Sequence, residues 1–402
     1  MFDLPKPLNV NRISSWAREF CESFDKFSAN NSSEVIRVAY YYNKQPDDST
    51  FRFRVLNMID ALTKPMNTES ILATWFAKPQ QEELIKILQK IDILVICRST
   101  IDSSIHHILS LAKVYGVRII FDIDDFVFST KEIPLLVNTI TSIPGDIVLE
   151  DDLWQYWYGY VSRIRETLDL CDEVIASTDY LADKIRNATG KKTQVVENFL
   201  GKKQLDFSRD LFEKKISLDF QRTTFTLGYF SGSPSHDKDF QILLPAVRSF
   251  LDSHSDARLL IVGYLDAKVL EPLDCKKVQH VPYTNFFSLQ YLNSLVQLNL
   301  APLQDNDFTR CKSGLKYINA AAVGVVTAAS STLSFSTLIK DGTNGFLLRD
   351  SDWQSFLEDY YESFELKHRK MAHQVFDDAI FNYSPHSRSN FVVQSLLNKI
   401  RS

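Results

Sequence analysis

Three aspartates crowd the end of one apolar run of the chain. Residues 117–125 read VRIIFDIDD, so a strand rich in β-branched residues ends in Asp122, Asp124 and Asp125. Strand alternation would point Asp122 and Asp124 to one side and Asp125 to the other. Close carboxylates raise one another's pKa, and clefts concentrate such groups. Capping of a loop or helix could explain one of these aspartates, but it explains the presence of all three poorly. We therefore take all three as candidate catalytic residues.

Two loop–helix junctions in the second half of the chain could bind phosphate. At the first, an apolar run over 225–230 leads into SGSPSHDKD, residues 231–239, and then into a predicted helix. Small residues let backbone N–H groups approach an anion, and a helix N-terminus adds positive potential. An ordinary capped loop would have similar composition. The candidate anion ligands of this loop are Ser231, Gly232, Ser233, His236 and Lys238.

The second junction carries two lysines at helical spacing. Residues 311–319 read CKSGLKYIN, and a helix over 312–323 would place Lys312, Lys316 and Asn319 on one face at i, i+4 and i+7. Two lysines on one face repel each other unless an anion lies between them. A solvated helix face is the alternative. The small residues around the lysines, Ser313 among them, favour the anion site.

Taken together, these segments resemble the donor-binding half of family 4 glycosyltransferases. The resemblance covers about 225–360 and includes the phosphate loop, the lysine motif and a D-G-x-N-G turn at 341–345. A subgroup with lysine-serine and D-x-D-D motifs is also matched in the N-terminal half, by STFRFR at 49–54 and by 171–181 followed by VEN at 196–198. The order and spacing of the pieces make the match specific.

The resemblance implies the GT-B fold, in which two doubly wound Rossmann-like α/β domains face each other across a cleft. It further implies a retaining, metal-independent transfer of a hexose or deoxyhexose, with no cofactor besides the nucleotide-diphosphate sugar. Tyr283 is then the candidate for the base pocket, while Arg52, Arg54 and Arg98 are candidates for contact with the acceptor. The acceptor would be a glycan, a glycolipid or a glycoprotein, as in polysaccharide biosynthesis or protein glycosylation.

The nucleotide is left open by a departure from the family pattern. Family 4 enzymes commonly carry two glutamates eight residues apart, of which the second contacts the donor ribose. Cys311 and Asn319 stand at those positions here. Asn319 can still donate and accept hydrogen bonds. A donor that lacks one ribose hydroxyl is therefore compatible with the sequence.

Two other functions are compatible with some of these residues. The strand ending in Asp122 and Asp124 resembles the first motif of haloacid-dehalogenase phosphatases, where an aspartate is both nucleophile and magnesium ligand. That family expects a Gly-Thr pair after the motif, whereas this chain has Asp125 and Phe126. A terpene-cyclase D-x-D-D acid fits an all-helical protein rather than this α/β pattern. The loss of the glutamates also allows a non-catalytic partner subunit of a glycosyltransferase.

The periodicity of the whole chain predicts the elements that would position these residues. Short apolar strands alternate with amphipathic helices in two sets, as in parallel sheets covered on both faces. We predict an N-terminal acceptor-side domain over 1–205, a linker over 206–223 and a nucleotide-sugar-binding domain over 224–384. A last helix over 385–402 would cross back to the N-terminal domain.

Bulk composition restricts the function classes. The 402 residues are 45% hydrophobic, which suits two domains, and the net charge of −5 argues against a nucleic-acid-binding protein. The five scattered cysteines indicate neither a zinc site nor a disulfide framework. The N-terminus lacks a secretory pattern. We therefore expect a cytoplasmic protein, with peripheral association at the inner face of the membrane compatible with the sequence.

Overall fold

The computed structural model describes residues 35–44, 48–62, 71–140, 151–217, 224–232 and 236–397. The N-terminal domain has strands β1 (Ile36–Tyr41), β2 (Ile71–Phe76), β3 (Ile93–Cys97), β4 (Arg118–Ile123), β5 (Glu173–Ala176) and β6 (Thr193–Val195). Its helices are α1 (Ser49–Phe51), α2 (Asn57–Leu62), α3 (Gln81–Leu88), α4 (Ser103–Val114), α5 (Ile133–Ile140), α6 (Asp151–Leu170) and α7 (Asp179–Thr189). A π-helix over Arg52–Leu56 joins α1 to α2, a 3-10 turn over Thr130–Glu132 precedes α5, and α8 (Lys202–Ser217) follows β6.

The C-terminal domain repeats the alternation of strand and helix. Its strands are β7 (Phe225–Ser231), β8 (Ala257–Gly263), β9 (Val278–Val281), β10 (Leu298–Ala301), β11 (Val326–Ser330) and β12 (Phe346–Leu348). Its helices are α9 (Asp237–Ser253), α10 (Ala267–Leu270), α11 (Phe286–Ser294), α12 (Asp307–Arg310), α13 (Leu315–Ala321), α14 (Leu333–Ser336) and α15 (Trp353–Asn382). A 3-10 turn over Asp350–Asp352 precedes α15, and the last described helix is α16 (Pro385–Leu397).

Each domain contains a six-stranded parallel sheet, ordered β2-β1-β3-β4-β5-β6 in the first and β12-β11-β10-β7-β8-β9 in the second. Alternate residues of β1 pack into different cores: Val38 and Tyr40 into one, Ala39 and Tyr41 into the other. Both faces of this sheet are therefore covered, and the predicted pair of doubly wound α/β domains is confirmed.

The strand order locates the place where a ligand can bind. The direction of winding reverses between β1 and β3 in the first sheet and between β7 and β10 in the second. In open α/β sheets, the loops at such a switch point diverge at the carboxyl ends of the strands and leave a crevice. Residues at or after the carboxyl ends of these four strands line one cleft between the domains: Ser49, Thr50, Arg52, Arg98, Ser231, Gly232, His236, Pro302 and Leu303.

Two helices connect the domains. Helix α8 occupies most of the predicted linker segment 206–223, of which 218–223 lie outside the described residues. Helix α16 packs against α2 of the N-terminal domain, where the Ser389 hydroxyl donates to the Ala61 carbonyl at 2.7 Å. The Arg118 guanidinium donates to the Leu396 carbonyl near the other end of α16. No helix of the described residues is both long and apolar enough to cross a membrane.

Candidate active site

The cleft between the two sheets has a volume of about 310 Å³ and brings together residues from both halves of the sequence. Twelve of the predicted site residues line it: Arg52, Arg98, Asp124, Asp125, Ser231, Gly232, His236, Tyr283, Lys312, Ser313, Lys316 and Asn319. Residues more than 250 positions apart in the chain thus meet at one surface, because the carboxyl ends of both sheets face it.

The lysine motif does not form one continuous helix, and this corrects the sequence-based prediction. Helix α13 begins only at Leu315, with Gly314 as its N-cap residue. A Cβ atom at Gly314 would lie 2.0 Å from the Leu338 side chain, so this tight approach requires glycine. Lys312 therefore lies in the loop before the helix, whereas Lys316 lies in its first turn. Both still line the cleft, although they do not share a helix face.

Lys316 is the most unusual cation of the site. Its ammonium nitrogen is buried, lies 4.7 Å from the centroid of the Tyr229 ring and has no hydrogen-bond partner among the described residues. Burial, aided by the charge of Lys312, lowers the pKa of Lys316 to about 8, although the carboxylate of Asp239 opposes the shift. An unpaired buried charge is costly, so this position is best explained by an anionic partner that binds in the cleft.

Asn319, one turn further along α13, presents the complementary group. Its side-chain oxygen is also buried and without a hydrogen-bond partner among the described residues. The two side chains together offer an ammonium donor and an amide acceptor to whatever occupies the cleft. A ligand with phosphate oxygens beside a hydroxyl group would satisfy both.

His236 fixes the loop that follows β7. Its Nδ1 atom lies 2.7 Å from Asp239, and burial together with the charges of Lys316 and Lys312 lowers the pKa of His236 to about 3. The ring is therefore neutral near pH 7 and donates to Asp239 through Nδ1, which leaves Nε2 as an acceptor. The other Asp239 oxygen accepts a hydrogen bond from the Gln304 backbone N–H at 3.0 Å. This bond links the first turn of α9 to the loop after β10.

One predicted residue after β7, Lys238, does not join the site. The Lys238 amine leaves the cleft and donates to Asn138 of the N-terminal domain, at 2.5 Å to its carbonyl and 3.1 Å to its side chain. Because Lys238 lies in the first turn of α9, its side chain points along the helix surface and away from the loop. The prediction of Lys238 as a donor contact is therefore corrected. Ser233 lies outside the described residues.

On the N-terminal side, Arg98 holds two carboxylates at the cleft wall. Its guanidinium lies 3.0 Å from Asp124 and 2.8 Å from Asp125, while the Thr50 hydroxyl donates to Asp124 at 3.2 Å. Strand β4 ends at Ile123, so strand alternation does not reach these residues and Asp125 does not point to the opposite side as predicted. Arg98 has a φ of +36°, a strained conformation of the kind that clusters at functional sites.

Asp122 and Arg54 form a buried structural pair, which corrects the prediction of Asp122 as a catalytic residue and of Arg54 as an acceptor contact. Their side chains are 1% and 0% exposed and form two hydrogen bonds, at 2.7 and 2.9 Å. Arg54 also donates to the Val196 carbonyl at 2.6 Å and to Asn198 at 3.1 Å. Neither side chain can therefore touch a substrate. The phosphatase interpretation fails as well, because both oxygens of its required nucleophile are engaged by Arg54.

Asn198 was missed as a site residue. Its side-chain nitrogen donates to the Ser313 hydroxyl at 2.8 Å and so joins the buried Arg54–Asp122 pair to the loop that carries Lys312. The signal was weak because a separation of 115 residues between Asn198 and Ser313 leaves no local pattern. The sequence V-E-N marked the place without revealing its role.

Gly263, the last residue of β8, packs closely against Ser231, where the predicted phosphate-binding loop begins. It has a φ of +102°, and a Cβ atom there would lie 1.8 Å from the Ser231 carbonyl oxygen. We expect Gly263→Ala to lower the free energy of unfolding by about 1–3 kcal/mol and to weaken nucleotide binding, because the backbone of residue 231 must move. Denaturant unfolding and calorimetric titration of uridine diphosphate measure the two effects.

The matched control for Gly263 is Gly232→Ala in the adjacent loop. A Cβ atom at Gly232 would meet nothing within 4 Å, so the free energy of unfolding of Gly232→Ala should be close to that of the wild type. Equal unfolding midpoints for Gly263→Ala and the wild type would show that the close approach of the two strands does not matter.

Solved structures with the same architecture define the fold class of the protein. HepE of Anabaena in complex with UDP-glucose superposes with a TM-score of 0.58 at 13% identity, covering 90% of this chain and 100% of HepE. Sucrose-phosphate synthase of Thermosynechococcus elongatus gives 0.58 at 12% identity, with 91% and 99% covered. A glycosyltransferase of Rickettsia africae gives 0.56 at 13% identity, with 92% and 99% covered. The fold is GT-B.

The sequence comparison identifies the C-terminal domain more closely. Residues 224–362 match the model of the family described as glycosyl transferases group 1, so this segment is similar to that family. The matched segment contains the loop after β7 and the lysine motif. Among curated proteins, no sequence matches the chain. Across the described ranges, no three His, Cys, Asp or Glu side chains are grouped as they would be around a metal ion.

Proposed function

We propose that the protein transfers a sugar from a nucleoside-diphosphate donor to a hydroxyl group of a glycan, glycolipid or glycoprotein. The observation that carries this proposal is the pair of unpartnered buried groups, the Lys316 amine and the Asn319 amide oxygen, on the cleft wall of the glycosyl transferases group 1 domain. A nucleoside diphosphate has the phosphate oxygens and the ribose hydroxyl that would satisfy them.

The donor would lie along the carboxyl edge of the second sheet. Its diphosphate would contact the backbone of the Ser231–Gly232 loop and the ammonium groups of Lys312 and Lys316, with the ribose near Asn319. Tyr283 is 47% exposed and stacks on Tyr264 with ring centroids 5.5 Å apart, which offers a flat surface for the base. HepE was solved with UDP-glucose, which makes uridine diphosphate the first nucleotide to test.

The chemical step requires stabilisation of the departing diphosphate and removal of a proton from the acceptor. Two ammonium groups would neutralise negative charge on the leaving group as the glycosidic bond breaks, which is a large electrostatic contribution in a buried site. Across the cleft, Asp124 or Asp125 would meet the acceptor hydroxyl, and Arg98 keeps both carboxylates in place. The proposal includes transfer without a metal ion and with retention of the anomeric configuration, both of which rest on the family resemblance.

The direct test is turnover of a panel of nucleotide sugars. We expect the purified protein to release nucleoside diphosphate from one donor type, slowly with water and faster with a hydroxyl acceptor, and to do so equally with and without a chelator. Luminescent detection of the released diphosphate measures the rate. NMR of the product in its first minutes shows the anomeric configuration.

Three outcomes would count against parts of the proposal. Binding of a donor without any turnover would favour a non-catalytic partner subunit. Activity lost on chelation and restored by magnesium would contradict metal independence. Failure of every nucleoside diphosphate to bind at millimolar concentration would refute the donor site itself.

A further inference from the structure

Helix α6 carries five aromatic residues within seven positions, and core packing explains only three of them. Trp154, Trp157 and Tyr160 pack against the core of the N-terminal domain. Tyr156 and Tyr158 do not, and they are 60% and 44% exposed. Stability of the fold therefore gives no reason for aromatic side chains at these two positions.

Tyr156 and Tyr160 form a stacked pair of rings, here called the aromatic strip. They are four residues apart and so share a face of α6, with ring planes inclined by 8° and centroids 6.1 Å apart. The Trp157 ring meets the Tyr156 ring edge-on at 5.2 Å and the Tyr160 ring at 5.9 Å, which fixes both orientations. In this aromatic strip the Tyr156 ring is exposed to solvent and Tyr160 packs against the core, so ordering the exposed ring costs little conformational entropy.

This strip begins at the wall of the cleft. The Tyr160 hydroxyl is hydrogen bonded to Arg98, the residue that holds Asp124 and Asp125, and it accepts from Lys44 at 3.1 Å. Burial alone would raise the pKa of Tyr160, but the charges of Arg98 and Lys44 outweigh it and lower the pKa. Tyr160 is thus tied to the acceptor side of the site, and Tyr156 continues the same surface outward.

We propose that Tyr156 and Tyr160 bind a pyranose ring of a glycan acceptor, at least one sugar unit away from the hydroxyl that reacts. This inference rests on the proposed function, because the strip leads away from the cleft where transfer would occur. The apolar C–H face of a sugar would lie on the rings, while its hydroxyl groups would reach Lys44 and solvent. The site would make the protein prefer an oligosaccharide to a single sugar.

A lipid surface fits this helix less well. Helix α6 contains four acidic residues, Asp151, Asp152, Glu166 and Asp169, against two arginines. Interfacial helices that bind anionic membranes are rich in lysine and arginine on the polar face. The acidic balance and the continuity with the cleft favour a carbohydrate.

The test is binding of the UDP-saturated protein to an array of defined oligosaccharides. We expect the wild type to be retained on at least one glycan class and Tyr156→Ala to bind that class about tenfold more weakly, a loss of about 1.4 kcal/mol. Tyr156→Phe keeps the ring and should bind like the wild type. Tyr158→Ala is the matched control, since Tyr158 lies on another face of α6 and stacks on Trp154 instead.

The result also separates this inference from the proposed function. The proposed sugar-binding role of Tyr156 and Tyr160 would be overturned by any of three results. These are no retention of glycans by the wild type, retention by Tyr156→Ala equal to that of the wild type, and equal losses of binding for Tyr156→Ala and Tyr158→Ala. Loss of binding to phosphatidylglycerol vesicles in Tyr156→Ala, with glycan binding unchanged, would assign the strip to a membrane and overturn it too. Glycan binding that depends on Tyr156, in a protein to which no nucleoside diphosphate binds, would support the role of the aromatic strip and refute the donor site.

Discussion

Replacement of Lys316 by methionine should weaken the binding of uridine diphosphate by at least about 30-fold, because removing one partner of a buried charge pair costs about 2–5 kcal/mol. The variant should fold at least as stably as the wild type. The methionine keeps the apolar contact with the Tyr229 ring and removes a buried amine that has no hydrogen-bond partner among the described residues. Calorimetric titration gives the affinity, and a thermal melt gives the unfolding midpoint.

The affinity for uridine diphosphate should also depend on pH through the same amine. The pKa of Lys316 in the free protein is about 8, so the amine is charged below pH 8 in both the free and the bound state. In that range its titration should not change the affinity for uridine diphosphate. A bound diphosphate raises this pKa. Above pH 8, binding must therefore take up a proton, and affinity should fall by up to about tenfold per pH unit. Lys316→Met should lose this dependence.

The matched control for Lys316 is Lys238→Met, which removes a lysine of the same domain that points out of the cleft. It should leave affinity for uridine diphosphate within about twofold of the wild type, since exposed charges outside a site contribute little. Equal affinities for Lys316→Met and the wild type would remove the proposed diphosphate contact. A lower melting temperature for Lys316→Met would show that its amine has a structural partner.

Replacement of Arg54 by leucine should lower the free energy of unfolding by about 3–5 kcal/mol, because it leaves the buried Asp122 carboxylate without its partner. The loss should be smaller at pH 5 than at pH 8. Burial raises the pKa of Asp122, and without Arg54 the folded protein would hold the proton to higher pH, so stability falls as pH rises through that range. Denaturant unfolding at the two pH values measures both effects.

An exposed ion pair provides the comparison for Arg54→Leu. Arg165 and Asp169 are 32% and 42% exposed, and Arg165→Leu should cost less than about 0.5 kcal/mol. Adding Asp122→Asn to Arg54→Leu should recover part of the stability, since the unpaired charge is removed. Similar losses for Arg54→Leu and Arg165→Leu would contradict the structural role of the buried pair.

The sequence predicted the architecture well because burial leaves a regular pattern. The continuous apolar run over residues 93–98, for example, contains the central strand β3, which has a neighbouring strand on each side. Strand β2, Ile71–Phe76, was not foreseen, since it lies at the edge of its sheet and contains alanine and threonine. An edge strand buries less surface and so imposes a weaker pattern.

The individual roles of the site residues were harder to predict. The side chains of Arg54 and Arg98 look equivalent in the sequence, yet one is enclosed with Asp122 and the other borders the cleft. Arg52 and Arg54 likewise belong to one π-helix, yet Arg52 lines the cleft and Arg54 is enclosed with Asp122. Lys312 and Lys316 both line the cleft, but the helix begins only at Leu315 with Gly314 as its N-cap residue, which the local spacing of the lysines does not encode.

The return of α16 to the N-terminal domain constrains how the protein can be made. Ser389 bonds Ala61 across 328 residues of chain. At about 5–20 residues per second, a ribosome needs about 15–65 s to produce the later partner after the earlier one. Throughout that time the apolar side of α2 lacks its final covering. The N-terminal domain must therefore wait as an incomplete nascent domain until α16 has been synthesised.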